Sequence, residues 1–384
     1  MAESTNNSTI VQLRYSGADV SSSFNASVQT ASFSSTLDAW KTASIEFIDN
    51  AGKLEAFLQD LQATFPLVVE MRYGSRAGGN DVLTPWERWV ILDYRTAQDV
   101  VVVDLADVLY LFTAKKRTSA RRGTIANAIA TCVTDIETEY KLELSAAIEP
   151  TQKVQQLYYQ SNADNWEFIT SRLLPRAANA DGSAGYHIWD RQGIICCATL
   201  DYSYAFHTIA NVRVANALKA NTINQQLTHG AAGVVGCAYD TSQGALTQCD
   251  SSATLTLRHA DITPKLDTNF NSVLYRHLSH NGDEEIQAQV QSQFCTAYAS
   301  LYTARFLNVD SINVCTGDVV DATINGSGEP NPTWNGLWTV TGVKHVVEHG
   351  SLSTAIKVSR GEQTRVYGTT PKTAQGHSFR KSVL

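Results

Sequence analysis

The stretch GLWTVTGVKHVVEHGSLSTAIKVSRG, residues 336–361, decides the fold class of this chain. It contains two strand-like runs, residues 337–347 and 351–360, separated by a short histidine–glycine connection. In the second run polar residues alternate with a largely apolar face formed by Leu352, Thr354, Ile356 and Val358. A period of two residues is typical of a strand with one buried face. The stretch therefore predicts a β-hairpin.

The segment before this hairpin predicts a helix, a turn and another strand. Residues 283–305 repeat apolar side chains at helical spacings of three and four, namely Ile286, Val290, Phe294, Tyr298 and Leu301 or Tyr302. Ile312 and Val314 then alternate, Thr316-Gly317-Asp318 predicts a turn, and residues 319–324 predict a strand. A loop rich in glycine and proline leads into the hairpin.

The first third of the chain predicts a β-dominated, barrel-like unit at residues 9–116. Strand patterns occur at residues 9–15, 39–47, 67–73 and 86–94, and residues 100–113 are strongly apolar. One short helix is predicted at residues 50–65, because Leu54, Phe57, Leu58 and Leu61 fall on one face.

Residues 117–212 predict a small α/β module. Ile125, Ile129, Val133 and Ile136 give residues 124–140 a helical period. A second helix is predicted at residues 162–174, capped by Ser161 or Asn162 and stopped by Pro175. A hairpin at residues 186–189 and 193–199 follows.

Residues 213–362, including the helix at 283–305, are assigned to a second barrel, with strand candidates at residues 231–236 and 254–257. The polar tail at residues 363–384 predicts an extended C-terminal arm or a disordered terminus. The predicted fold class is thus mainly β with α+β insertions: two barrel-like tube domains and a small α/β module.

Composition limits the possible functions. The 384 residues carry a formal charge of −7, which argues against a general nucleic-acid-binding protein. No apolar run is long enough for a transmembrane helix, and residues 1–8 lack the pattern of a signal peptide. The seven cysteines have no CxxC spacing, and adjacent Cys196 and Cys197 should point to opposite faces of a strand. Reduced, buried thiols of a protein made in a cytoplasm are the expectation.

One basic cluster comprises Lys115, Lys116, Arg117, Arg121 and Arg122. Its simplest interpretation is a solvated loop before the helix at residues 124–140. The alternative is a site that binds phosphate or an acidic partner.

Histidines and carboxylates were weighed as candidate catalytic or metal-binding groups. His345 and His349 lie four apart beside Glu348, but on a strand this spacing exceeds about 12 Å, too far for one metal ion. His277 and His280 precede Asp283, Glu284 and Glu285, which suit the first turn of a helix. Glu137 and Glu143 are expected to be surface charges. GxSxG and GxxxxGK motifs are absent from the sequence, so no catalytic, cofactor-binding or metal-binding residue is predicted.

Tryptophans leave an alternative open. Trp86, Trp89, Trp166, Trp189, Trp334 and Trp338 are expected to fill cores or interfaces. Carbohydrate stacking, chiefly through Trp334, would instead indicate a glycan-binding or cell-wall glycan-degrading tail protein.

The central segment carries a resemblance to a known family. It reads YYQSNADNWEFITSRLLPRAANADGSAGYHIWDRQGIICCAT, residues 158–199, and is similar to the signature of baseplate hub proteins of contractile phage tails. The related spike proteins of type VI secretion and phage late control protein D share it. The matching positions are Tyr158, Gln160, Ser161, Asn162, Asn165, Trp166, Glu167, Phe168, Ile169, Leu173 and Gly193. The helix, turn and hairpin at residues 283–361 resemble the closing segment of the same proteins. The early stop at Pro175 departs from the family pattern.

This resemblance implies a structural virion protein without enzymatic activity, cofactor or metal. It implies a homotrimeric central hub that adapts a six-fold tail tube to a three-fold spike and forms part of the DNA channel. The implied partners are the tail tube or tube-initiator protein, the tail spike and the baseplate wedge proteins. Genomic DNA would pass transiently, without stable nucleic-acid binding. The implied location is the tail baseplate of a virion assembled in the host cytoplasm.

Overall fold

In a computed structural model, the chain is mainly β. The structure describes residues 8–19, 27–61, 66–77, 80–151, 156–177, 185–200, 210–214, 222–225, 233–240, 245–251, 256–257, 260–261, 273–277, 302–307, 309, 312–324, 336–348 and 351–360. The predicted arm at residues 363–384 and most of the predicted helix at residues 283–305 lie outside the described residues.

In the N-terminal half, the described residues form thirteen strands and two regular helices. The strands are β1 (Ser8–Tyr15), β2 (Ala18–Asp19), β3 (Ser27–Thr36), β4 (Thr42–Ile48), β5 (Val68–Ala77), β6 (Asn80–Leu83), β7 (Glu87–Ala97), β8 (Val100–Asp107), β9 (Arg117–Gly123), β10 (Ser145–Ile148), β11 (Gln156–Ala163), β12 (Tyr186–Arg191) and β13 (Ile194–Thr199). The helices are α1 (Lys53–Leu61) and α2 (Ile125–Tyr140).

The C-terminal half adds shorter strands and the long terminal hairpin. These are β14 (Ala210–Val214), β15 (Thr222–Gln225), β16 (Gly233–Asp240), β17 (Ala245–Ser251), β18 (Thr256–Leu257), β19 (Ala260–Asp261), β20 (Val273–His277), β21 (Tyr302–Phe306), β22 (Val319–Ile324), β23 (Gly336–Glu348) and β24 (Ser351–Arg360). The predicted hairpin is therefore present, and the alternation of its second strand matches its burial pattern.

One sheet runs through both halves of the chain. Its order is β15-β21-β24-β23-β3-β4-β8-β7-β5-β1-β2. The halves meet where β23 pairs antiparallel with β3, with His345 opposite Phe33. The terminal hairpin thus extends the N-terminal sheet directly, through backbone hydrogen bonds rather than through side-chain packing alone.

The inner face of the N-terminal sheet forms an apolar core. Ile45 on β4, Met71 on β5 and Leu105 on β8 are fully buried there, and Val347 of β23 joins them. Helix α1 closes this core with Leu54 and Leu58. The carboxylate of Asp49 caps α1 by accepting hydrogen bonds from the backbone N–H groups of Lys53 and Glu55.

The α/β module has its own core beside the N-terminal sheet. Thr124 caps helix α2, and the predicted apolar stripe of Ile125, Ile129, Val133 and Ile136 is buried. Hairpin β12–β13 also forms as predicted, with β10 pairing parallel to β13. Cys196 and Cys197 are both buried, in different apolar clusters, as expected for neighbours on opposite faces of a strand.

Three local predictions need correction. Residues 302–305 were predicted as the end of a helix but belong to strand β21, because they pair with β24. Asn162 does not cap a helix; it adopts φ 48° at the end of β11, and Asp164 is the cap instead. The helix that follows changes pitch, from an α turn at Asn165–Glu167 to a π-helix at Phe168–Leu173 and a 3-10 turn at Leu174–Arg176.

The basic cluster also differs from its simplest interpretation. Residues 117–123 form strand β9, not a solvated loop, and β9 pairs with β11. Arg117 and Lys115 both contact the carboxylate of Glu139, and the buried Arg121 lies 2.6 Å from Asp135. These positive charges are therefore largely neutralised within the chain.

Candidate functional site

A cluster of buried charges joins three segments that are distant in sequence. Lys41, in the turn between β3 and β4, places its Nζ 2.7 Å from Oε2 of Glu87 on β7. The same Nζ lies 2.5 Å from Oδ1 of Asp190 on β12. The two carboxylates are 7% and 2% exposed. The contacts therefore connect the N-terminal sheet to the α/β module inside the protein.

A third carboxylate supports the same turn. Asp107 accepts a hydrogen bond from the backbone N–H of Lys41 at 2.8 Å and another from Leu109 at 3.0 Å. The second bond caps the 3-10 helix Val108–Thr113, which carries four buried apolar residues into the module core. Asp107 thus fixes the position of the Lys41 backbone, while Glu87 and Asp190 hold its side chain.

The protonation states in this cluster follow from burial and mutual attraction. Burial alone would lower the pKa of Lys41, but the carboxylates of Asp190 and Glu87 outweigh it and raise that pKa above its usual value. Burial raises the pKa of Glu87, and the Lys41 ammonium opposes that rise. Burial, followed by the charge of Asp190, raises the pKa of Asp107. Lys41 is consequently a fixed positive charge at neutral pH.

The segment before β22 closes the cluster from the C-terminal half. Gly317 adopts φ 88°, and a Cβ at this position would lie 2.8 Å from the Trp189 indole. Its N–H donates to Val340, and the Asp318 carboxylate accepts from Cys315 N–H and lies 3.3 Å from Arg191 Nε. The segment Thr316-Gly317-Asp318, predicted as a turn, therefore contacts both hairpin β12–β13 and strand β23 and holds them together.

A second contact holds the hairpin to the β3–β4 turn. Asp38 adopts φ 57°; its backbone N–H donates to the carbonyl oxygen of Ile188, and its Oδ1 accepts a hydrogen bond from the Ile188 N–H. Its Oδ2 also lies 2.6 Å from Nδ1 of His187. Lys41 and Asp38 therefore bind the same strand, β12, from one turn.

A cavity of about 30 Å³ lies beside these charges. Its lining includes Lys41, Glu87, Asp190, Trp89, His345 and Cys315. Small-molecule pockets usually enclose about 300 Å³ or more, so this space is too small for a substrate. Burial, reinforced by the Lys41 charge, lowers the pKa of His345 to about 4, and burial raises that of Cys315 to about 12. The cavity thus presents a neutral imidazole and a protonated thiol, neither of which is an activated nucleophile.

The candidate histidines and carboxylates that the structure describes do not form a metal-ligating group. His345 lies on strand β23 and contacts Thr354 Oγ1 at 2.9 Å, while His349 and His280 fall outside the described residues. The Glu137 side chain accepts a hydrogen bond from the backbone N–H of Leu144, just beyond the C-cap of α2 at Lys141. Within the part of the chain that the structure describes, no group of three metal-ligating side chains occurs. None of the helices described there is long and apolar enough to cross a membrane.

The tryptophans are mostly unavailable for sugar stacking. Trp89, Trp189 and Trp338 are fully buried. Trp166 packs edge-on against Trp40, with ring centroids 5.5 Å apart, and Trp334 lies outside the described residues. Sequence spacing could not identify the buried-charge cluster, because its residues come from distant parts of the sequence.

The fold was compared with known proteins. No family model matches the sequence, and no curated protein matches it significantly. A tail protein from Neisseria meningitidis superposes with a TM-score of 0.57 at 12% identity, over 92% of this chain and 97% of that one. The 43 kDa tail protein of prophage MuSo2 from Shewanella oneidensis gives 0.59 at 10% identity, over 93% and 100%. The chain shares the fold of these phage tail proteins.

A secretion protein shares this fold. The Escherichia coli c3393 protein, a type VI secretion component described as structurally similar to bacteriophage T4 tail proteins gp27 and gp5, gives a TM-score of 0.50 at 11% identity. The superposition covers 94% of this chain and 80% of that protein. The fold implied by the central and closing segments of the sequence is therefore confirmed.

The structure gives a physical reason for the polar positions of the hub-like signature. Gln160 on β11 accepts a hydrogen bond from Arg121 and donates to Asn165 Oδ1. Asn165 is fully buried, and Arg121 also pairs with Asp135 of α2. These residues therefore connect the β9–β11 ribbon, α2 and the following helix through one buried polar network. Their role in the described structure is to hold the module together.

Proposed function

We propose that this protein is the homotrimeric central hub of a contractile-tail baseplate, adapting a six-fold tube to a three-fold spike. The observation that carries the proposal is the pairing of β3 with β23, which joins sheets from both halves into one surface. Residues 9–116 and 213–362 are the two proposed tube-like barrels, with residues 117–212 between them. Three chains would then present six similar units, because an interface repeats only where each partner offers the same patch.

The outward face of the joined sheet suits the wall of a channel. It carries short hydroxyl side chains, including Ser32 and Ser34 on β3 and Thr42 and Ser44 on β4. On β7 and β8 the charges are paired within the sheet, since Asp104 accepts from Ser44 and pairs with Arg95. A polar wall without a basic stripe would let an anionic genome slide without binding it stably.

An open sheet edge supports closure against another copy. Residues 93–97 of β7 pair with β8 on one side, Leu92 lies in a bulge, and among the residues described the strand pairing with β5 on the other side ends at residue 90. At the opposite end, among the residues described, β15 pairs only with β21. Unpaired strand edges promote pairing with other chains. We infer that edges of neighbouring copies meet here to form the ring.

The oligomeric state tests this proposal. Light scattering of the purified protein should give three times the 41.9 kDa chain mass. Leu92→Lys, at a 41% exposed position on the open edge, should shift the protein toward monomer, because an edge lysine opposes strand pairing. Ile194→Lys, at a 41% exposed position on β13, is the matched control and should remain trimeric, because β13 is already paired on both sides by β10 and β12. A wild-type monomer or dimer at high concentration would contradict the hub assignment.

The proposed partners follow from this position in a tail. One face of the ring would contact the tube or tube-initiator protein, the other the spike, and the periphery the wedge proteins. Genomic DNA would cross the lumen during ejection, and assembly would take place in the host cytoplasm. We propose no catalytic step, cofactor or metal for this role.

A further inference from the structure

Two arginines share one tryptophan on the outward face of the N-terminal sheet. The guanidinium carbon of Arg14 lies 3.9 Å from the Trp86 ring centroid, and that of Arg72 lies 4.5 Å from it. Arg72 Nε also donates to Gln12 at 2.6 Å. Contacts of this kind hold guanidinium groups in place by attraction to the ring electrons. Trp86 thus positions two positive charges together.

Strand register brings a third arginine to the same surface. Arg14 lies opposite Glu70 across β1 and β5, and Glu70 lies opposite Arg88 across β5 and β7. The neighbouring positions Met71 and Trp89 point into the buried core. Because side chains alternate along a strand, Arg14, Arg72 and Arg88 share the outward face. We call these three residues with Trp86 the arginine patch.

The arginine patch keeps a net positive charge, because the strand register places one carboxylate, Glu70, among its three arginines. Within the part of the chain that the structure describes, no ion pair within 4.0 Å involves Arg14, Arg72 or Arg88. By contrast, Arg95 and Arg121 each pair with an aspartate. Uncompensated positive charges on a chain with a formal charge of −7 favour an acidic partner over random contacts.

We propose that the arginine patch docks an acidic peptide segment of a partner protein. Guanidinium groups offer paired donors that match a carboxylate, and groups already immobilised lose less side-chain entropy on binding. Two carboxylates on alternate residues of an extended segment would reach Arg14 and Arg72, which are diagonal neighbours about 7–8 Å apart across antiparallel strands. All the residues belong to one chain, so the inference does not depend on trimer formation.

The surroundings of the patch disfavour nucleic acid as the occupant. Glu70 lies among the three arginines, so the positive charge is confined to a short, interrupted patch and does not form the continuous stripe that a phosphate backbone follows. Single-stranded nucleic acid is usually held by bases stacked on free aromatic rings, whereas the Trp86 ring already receives two guanidinium groups. A short acidic peptide needs neither a free ring nor a basic stripe.

Fluorescence anisotropy with a labelled hexaglutamate peptide at low salt tests the proposal. The Arg14→Gln/Arg72→Gln variant should bind at least about tenfold more weakly than wild type, because two charge-assisted contacts are lost. The Arg95→Gln/Arg122→Gln variant removes the same charge elsewhere and should change the affinity less than about twofold. Trp86→Leu keeps every charge but releases the guanidinium groups, and should weaken binding roughly threefold.

Three outcomes would overturn the inference. The first is no measurable binding of hexaglutamate by the wild-type protein. The second is an equal loss in both double variants, which would indicate a response to net charge alone. The third is tighter binding of a single-stranded hexanucleotide than of the peptide, which would make nucleic acid the occupant. Circular dichroism of each variant should match that of wild type, since all four substituted arginines lie on the surface of strands.

Discussion

Replacing Lys41 with methionine should destabilise this protein strongly, because the substitution removes the cation from a buried cluster of charges. Methionine retains most of the aliphatic volume but leaves Glu87 and Asp190 without a counter-ion, at side chains 7% and 2% exposed. Removing one partner of a buried ion pair typically costs about 3–5 kcal/mol. We expect a loss of roughly that size in the free energy of unfolding at pH 7.

The pH dependence of the variant gives a sharper signature. In the wild type, burial raises the pKa of Glu87, and Lys41 opposes that rise. Without Lys41 the folded state holds a proton on this carboxyl at higher pH than the unfolded chain does. Stability then falls as pH rises between the unfolded pKa, about 4.3 for glutamate, and the folded value. The difference in free energy of unfolding between the wild type and Lys41→Met should therefore decrease from pH 7 toward pH 5, by at most about 1.4 kcal/mol per pH unit for each proton bound.

Chemical denaturation of both proteins at several pH values measures this effect. Lys116→Met removes an exposed lysine and should stay within about 0.5 kcal/mol of wild type at every pH. Adding Glu87→Gln and Asp190→Asn to Lys41→Met removes the unpaired charges and should recover much of the loss. A deficit below about 1 kcal/mol, or one that stays constant between pH 5 and 7, would refute the reasoning.

Three further predictions concern other parts of the structure. Gly317→Ala should lower the free energy of unfolding by about 1–3 kcal/mol, because the new Cβ would lie 2.8 Å from Trp189 on a backbone with φ 88°. Gly52→Ala is the control: its φ is 62° but its surroundings are open, so it should lower the thermal stability less. Burial raises the pKa values of Cys132 and Cys196 to about 12, so both thiols should resist a disulfide reagent at pH 8 until the protein is unfolded; rapid labelling of either in the native state would contradict their burial. Trp189→Ala should lower the free energy of unfolding by about 3–5 kcal/mol and Trp166→Ala by about half as much, because Trp166 is only partly buried. Equal melting temperatures for the two variants would contradict this difference in burial.

The elements that the sequence predicted well are those specified by local periodicity. The alternation in residues 351–360 matches β24, and the stripe from Ile125 to Ile136 matches the buried face of α2. Both patterns repeat at least three times, so several residues indicate the same buried face. The glycine at 317 predicted a turn because a positive φ suits it.

The errors arose where local signals were ambiguous or absent. Ser161, Asn162 and Asp164 are all good caps, and only the pairing of β11 with β9 excludes the first two. Residues 302–305 continue an apolar helical spacing, yet pairing with β24 places them in a strand. Lys41 and Glu87 lie 46 residues apart, so no motif could have joined them. Contacts of this range are decided by the sheet order, which a single sequence does not encode locally.

The buried charged cluster can fix the strand register, which an apolar core alone fixes poorly. A slip of two residues between paired strands keeps every apolar side chain on its own face, so hydrophobic burial discriminates poorly against it. The same slip would carry Lys41 away from Asp190 and the hairpin away from Asp318. We infer that the buried ions select one register among sheets of similar stability, a role attested for buried polar groups elsewhere. The triple variant Lys41→Met/Glu87→Gln/Asp190→Asn separates an effect on stability from an effect on strand register. It should unfold at nearly the wild-type denaturant concentration but with a broadened transition, because alternative registers become populated, whereas a sharp transition would assign the cluster to stability alone.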